Sequence, residues 1–236
     1  MRLHAATGRQ RARVVLVAAL VVSLGLAVHT DAASSDDGGL RPVDSVRASI
    51  ARVQEVVHSN RGGSETTRSA IREIAERLFD FEAMSRRMLA RHWNDGSPEQ
   101  QEEFVRLLTS FLGRTYLDVI VSGASVRTTV DGQSIDGDYA RVRTRMSVDV
   151  GPEASIEYCL VKRDERWAVY DVVHEGASLV ANYRSQFASV LRTSSFAELL
   201  ERMRNNEREA RSRTETGAAL GRRLLLFSVV AERGAR

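Results

Sequence analysis

Cysteine, proline and lysine are scarce in this 236-residue chain, which has one Cys, three Pro and a single lysine, Lys162. A lone thiol closes no intrachain disulfide, so any compact structure must rest on its apolar core. Cys159 lies within the apolar run Ile156–Val161, the setting of a small buried strand residue rather than an exposed reactive thiol. No apolar run reaches the roughly 20 residues needed to span hydrocarbon. A Walker loop, a dinucleotide glycine fingerprint, paired Cys-x-x-Cys and His-Glu-x-x-His are all missing, and with them the sequence basis for a nucleotide, a dinucleotide cofactor or zinc. The five histidines, His4, His29, His58, His92 and His174, are scattered, so neither a metal site nor a cofactor is expected. Gly176-Ala177-Ser178 opens like a nucleophile elbow, but Val180 stands where that motif requires its second glycine.

What is present begins with a leader. Arg2, Arg9, Arg11 and Arg13 precede an apolar run of 15 residues from Val14 to Val28, and small residues follow through Ala32 and Ala33. This is a signal-peptide pattern with cleavage expected after Ala32, a retained anchor being the alternative. Cleavage leaves 30 Lys and Arg against 30 Asp and Glu, so the formal net charge of +3 belongs to the leader. A mature chain of zero net charge gives no general argument for nucleic acid, although local Arg clusters can still meet anionic headgroups. About 200 mature residues suffice for one sizeable core.

Residues 33 to 43 are turn-rich and read as a linker. A first helix is expected near Asp44, with Val46, Ile50, Val53 and Val57 on one stripe. Gly62 and Gly63 break the chain before a second helical face of Ala70, Ile71, Ile74, Ala75, Leu78 and Phe79. Asp80 can cap a third helix that runs to about His92. Ser97-Pro98-Glu99-Gln100 is a capping box with proline at the first helical position, and the helix it starts should reach about Val121. After Gly123 the period falls from 3.6 to 2: Arg141, Arg143 and Arg145 alternate with Val142, Thr144, Met146 and Val148. Turn signals at Asp131-Gly132, Asp136-Gly137, Gly151-Pro152 and Arg163–Arg166 divide this half into four antiparallel strands, 125–130, 138–149, 154–163 and 166–174. Helices at 178–192 and 196–206 follow, the second begun by a Ser195-x-x-Glu198 capping box. The expected class is α+β, with N-terminal and C-terminal helices packed on a curved antiparallel sheet of about four strands and an apolar ligand cavity between the layers. Residues 207–236 form a polar tail with an apolar patch at Leu220–Val230, readable as a solvated helix extension or a disordered segment.

Three stretches carry a family likeness: Trp167, Val169, Tyr170, Asp171 and Val172; then Glu175-Gly176-x-Ser178-Leu179; then Asn182-Tyr183-Arg184-Ser185-Gln186-Phe187. Over about residues 44–206 the chain resembles the MlaC or toluene-tolerance auxiliary proteins, periplasmic carriers of phospholipid. The resemblance implies a periplasmic shuttle between an inner-membrane ABC transporter complex with a lipid-binding subunit and an outer-membrane lipoprotein complex, maintaining outer-membrane lipid asymmetry. It also implies that acyl tails are buried between sheet and helices. At roughly 0.8 kcal/mol per methylene, two chains carry an apolar transfer term of order 20 kcal/mol, so hand-off should proceed by collision rather than through water.

The expected lipid-facing residues are Met146, Val148, Ile156, Tyr158, Leu160, Tyr170 and Val172 on strands and Leu179, Val180, Tyr183 and Phe187 on the following helix. A register shift of one residue exchanges the strand set for Cys159, Val161, Val169 and Val173. Arg86, Arg87 and Arg91 are the expected partner-docking residues, and Arg184 is expected either in a Tyr-Arg pair or against an acid such as Asp171. A hopanoid or other lipid carrier of the same family is an alternative. A small pocket enzyme of ketosteroid isomerase type, using Asp171, His174 and Glu175, is a further one; Asp171 and His174 are three apart on a strand and should face opposite sides.

Overall fold

The computed structural model describes residues 41–59, 65–121, 126–148 and 153–215. The leader, most of the linker, the Gly62-Gly63 break, the Gly151-Pro152 turn and the Leu220–Val230 patch lie outside the described residues. The described chain divides into two compact units, one holding residues up to Asp80 and Gly113–Ser178, the other Phe81–Leu112 and residues from Leu179 onward.

The first unit is a sheet with helices on one face. Helices α1 (Pro42–Ser59) and α2 (Glu65–Leu78) precede strands β1 (Val126–Asp136), β2 (Tyr139–Val148), β3 (Ala154–Arg163), β4 (Arg166–His174) and β5 (Ala177–Ser178), which pair antiparallel in sequence order. Alternation along β2 is clean: Ala140, Val142, Thr144 and Met146 are buried while Arg141, Arg143 and Arg145 are exposed. The stripe of α1, Val46, Ile50 and Val53, joins Ile71 and Leu78 of α2 and the inward side chains of the sheet in one core. Each fully buried aliphatic side chain there stabilises by about 1.5–3 kcal/mol.

The strand expectations need two corrections. Asp131-Gly132 does not end a strand: β1 runs through it to Asp136, and the register jumps from Val130 to Gly132. Asp131 is the extra residue of a bulge, its carboxylate accepts from Arg145 at 2.8 and 3.0 Å, and Gly132 takes a φ of 150°. An Asp-Gly pair suits a bulge as well as a turn, and only the partner strand decides between them. The sheet also gains a fifth strand, two residues long, because Glu175 (φ 47°) and Gly176 (φ 78°) make a two-residue hairpin turn with both residues left-handed. The Glu175 carboxylate accepts from the Ser155 N–H at 2.6 Å, which ties that turn to the start of β3.

The edge of β4 is covered in part. Phe79 bridges Val169, the Asp80 N–H donates to the Val169 carbonyl at 2.9 Å, and Arg163 reaches the Asp80 carboxylate at 3.2 Å. Arg166 donates to the Arg77 carbonyl at the end of α2.

The second unit is helical: α3 (Phe81–Leu89), a 3-10 turn (Ala90–Asp95), the N-terminal part of α4 (Pro98–Val121), α5 (Leu179–Leu191) and α6 (Phe196–Glu215). The third helix therefore ends at Leu89 instead of continuing to His92: Ala90 takes a left-handed φ of 50°, and a separate 3-10 turn carries the chain to Asp95. Both capping boxes form: Ser97 and Gln100 exchange N–H bonds at 3.0 and 3.3 Å, and Ser195 and Glu198 at 2.7 and 3.2 Å. Helix α6 passes the expected end at 206 and runs to Glu215, still burying Ala210. It is held to α4 by Arg204, which grips Glu103 at 2.7 and 3.0 Å, and by a 2.7 Å bond from Ser110 to Glu207. Gly96 leaves room for the Phe196 ring, which a Cβ there would meet at 2.8 Å.

Candidate functional site

The layer between α1, α2 and the sheet is the apolar core of the first unit. Met146, Ile156, Tyr158, Leu160 and Val172, all expected to face a ligand, meet in it with Val46, Ile50, Val53, Ile71, Leu78 and Leu117. It is closely packed in this structure, with Ile156, Tyr158 and Leu160 no more than 1% exposed. Burial pushes the Tyr158 phenol above its ordinary range, so it stays a neutral group within the layer.

Tyr170 falls outside this set for a specific reason. Cys159 pairs with Asp171 and Leu160 with Val169, so Tyr170 is an extra residue without an opposite number, and the inward phase of β4 changes there. Trp167 and Val169 point inward before the bulge and Val172 after it. Tyr170 instead packs edge-on against Tyr139 at 6.0 Å, and Tyr139 is half exposed. Neither uniform register describes β4: one inward residue, Val172, comes from the first set and one, Val169, from its alternative. Cys159 and Val161 are buried and Val173 is half-buried. Val148 pairs with Val126 at the end of β2; its side chain lies outside the described residues.

The four helical candidates belong to the second unit. Val180 and Phe187 are buried, and Leu179 and Tyr183 half-buried. Tyr183 stacks on Phe187 at 6.1 Å and meets Phe111 edge-on at 5.8 Å, while Phe187 meets Phe104 at 5.3 Å. Beside them Leu107, Phe111, Phe187, Met203 and Asn206 line a depression of about 10 Å³, room for about one water.

The arginines nominated for docking also lie in that unit. Arg86 is exposed, pairs with Glu82 at 2.8 Å and lies 5.0 Å from the Trp93 ring centre. Arg87 is half-buried. Arg91 is exposed and donates to His92 Nε2 at 3.2 Å, while His92 Nδ1 lies 2.8 Å from Asp95. Arg184 joins them, and its Nε donates to the Arg87 carbonyl at 2.7 Å in the last turn of α3. The expected acidic partner is thus replaced by a backbone carbonyl at a helix C-terminus, where a cation is favoured.

Asp171, His174 and Glu175 do not converge. Asp171 shares a face with Cys159 and accepts from the Ser178 hydroxyl at 2.5 Å and the Val172 N–H at 2.8 Å. His174 is opposite Ile156 on the inward face, and Glu175 sits in the hairpin turn. Burial, with Asp171 and Glu157 nearby, pushes the Cys159 thiol up to about 11. Among the described residues no cluster of three or more His, Cys, Asp or Glu is placed to hold a metal ion. Sequence reasoning held Val169 only in the register-shifted alternative and did not name Trp167 or the α1 and α2 residues as lining the layer, although the stripe of α1 and the apolar start of β4 were visible.

Comparison with known proteins matches this arrangement. A family model described as MlaC protein matches residues 45–205. Among solved structures, the phospholipid-binding protein from Ralstonia solanacearum, determined in complex with a phospholipid, superposes with a TM-score of 0.65 at 21% identity, covering 73% of this chain and 98% of that one. That likeness is one of fold. No curated protein matches the chain.

Proposed function

Because the chain belongs to the MlaC protein family, we propose that it is a periplasmic phospholipid carrier that shuttles lipid between outer-membrane and inner-membrane transport complexes and so maintains outer-membrane lipid asymmetry. The observation that carries the reading is the family match over residues 45–205, which spans all of β1–β5 and all of the apolar layer beneath them except Val43. The structural neighbour from Ralstonia solanacearum supports it, since that protein is phospholipid-binding and holds a phospholipid. The leader supports export to the periplasm.

In this reading the layer lined by Met146, Ile156, Tyr158, Leu160 and Val172 takes the acyl tails, and Val180, Tyr183 and Phe187 offer a second apolar surface. A pocket for a small drug-like ligand needs roughly 300–1,000 Å³, so α1 and α2 part from the sheet on loading, and lipid replaces contacts the side chains make with one another. That exchange suits a shuttle, because the empty carrier hides its apolar surface and the loaded one hides the tails. Energy for directional transport comes from a partner, an ABC transporter complex in the inner membrane, since the chain has no nucleotide motif.

Native mass spectrometry of the mature protein purified from its own periplasm, followed by organic extraction, tests the proposal. Stoichiometric phospholipid is the expected result. A polycyclic lipid would select the hopanoid branch of the family, and a protein that carries nothing and takes up no labelled lipid from vesicles would overturn the carrier reading.

A further inference from the structure

Two buried side-chain atoms among the described residues, His174 Nε2 and Thr128 Oγ1, have no hydrogen-bond partner. Both lie on the inward face at the same end of the sheet: Thr128 is opposite the core residue Met146, and His174 is opposite Ile156 and Ala177. An orphaned buried polar group is costly, and most such groups in native proteins are paired, so each calls for a cause. A neutral imidazole carries one donor and one acceptor nitrogen; in either tautomer the Nε2 position of His174 lacks its complement.

Resting on the carrier reading, we infer that His174 is the polar anchor of the lipid site: its Nε2–H donates to an acyl-ester carbonyl of the bound phospholipid. The placement selects that chemical group. His174 is the last residue of β4, held by the Glu175-Gly176 turn, with Ile156 and Val172 of the apolar layer beside it. The site therefore passes from apolar to polar at this residue, as a phospholipid does at its esters. Nε2 is out of contact with water, which disfavours a phosphate, whose charge is expensive to desolvate, and suits a neutral carbonyl. Thr128 lies three strands away, roughly 14 Å at about 4.8 Å per strand, too far to hold the second ester of the same lipid.

The test compares uptake of dioleoyl phosphatidylglycerol and its diether analogue, which lacks the ester carbonyls, by the wild type and by His174→Leu and Thr128→Val. Expected are about tenfold weaker binding of the diester by His174→Leu, the ratio for a hydrogen bond of about 1.4 kcal/mol, the same loss for the diether with the wild type, and no further loss when the two changes are combined. The imidazole Nε2 resonance should shift on loading with the diester only. Thr128→Val should bind like the wild type, and His174→Leu should melt no lower than the wild type, since it removes an orphan. Equal binding by wild type and His174→Leu, or an ester preference that survives the substitution, would overturn the anchor while leaving the carrier intact. A wild type that takes up neither lipid would overturn the carrier reading and the anchor with it.

Discussion

Individual side chains in this protein are placed by contacts that their sequence neighbours do not announce. Cys159 shows the consequence most directly. It is buried within β3 beside Asp171 and Glu157, and its thiol is pushed up to about 11, by burial first and by the two carboxylates second. The thiolate is the nucleophile, so at pH 8 the folded protein should resist iodoacetamide and the urea-unfolded protein should react at once. Rapid labelling of the folded chain would place Cys159 at an open strand and contradict the packing of β3. Arg184 makes the same point in another way: the Tyr183-Arg184 pair is visible in sequence, yet the arginine's bond goes to a helix-end carbonyl 97 residues away.

At the scale of elements, local signals and long-range ties divide the work. The capping boxes at Ser97 and Ser195 fix where α4 and α6 begin, and both were legible because each needs only four consecutive residues. The pairing of those helices with each other depends on Arg204 and Glu103, 101 residues apart. The Arg204 guanidinium holds the Glu103 carboxyl below its ordinary value of 4.5 against an opposing effect of burial. A carboxyl lowered in the folded state contributes stability that is complete above the unfolded value and is lost as pH falls through the lowered one. Unfolding midpoints should therefore decline once pH drops below about 4.5, and Arg204→Met should flatten that decline while lowering stability at neutral pH. Parallel acid profiles for the two proteins would show that Glu103 titrates alike in folded and unfolded chains.

For the whole molecule, the charge balance and the two-unit division bear on docking. Residues 33–236 balance 30 Lys and Arg against 30 Asp and Glu and so have no excess charge to steer them; any surface that engages a partner must be local. Arg91, with its single bond to His92, is the cleanest test of the arginine surface, because Arg86 also holds Glu82 and the Trp93 ring. On the carrier function proposed above, Arg91→Glu is expected to slow lipid hand-off to vesicles bearing the proposed partner complexes several-fold at low salt, with unfolding unchanged within about 0.5 kcal/mol. An unchanged transfer rate would remove Arg91 from the docking surface.

The sequence alone determined the α+β class, the helix starts, the alternation of β2 and the family, because each is written in short-range pattern or in motifs that survive without coordinates. Tertiary structure decided the rest. The bulges at Asp131 and Tyr170 exist only relative to the strands opposite, and the second one mixed the two candidate faces of β4, which no single period can describe. His174 looked like a weak catalytic candidate in sequence. Its face, its buried nitrogen and its lack of a partner emerged only once β3, β4 and β5 were in register, because hydrogen-bond satisfaction is a property of the surroundings and not of the residue.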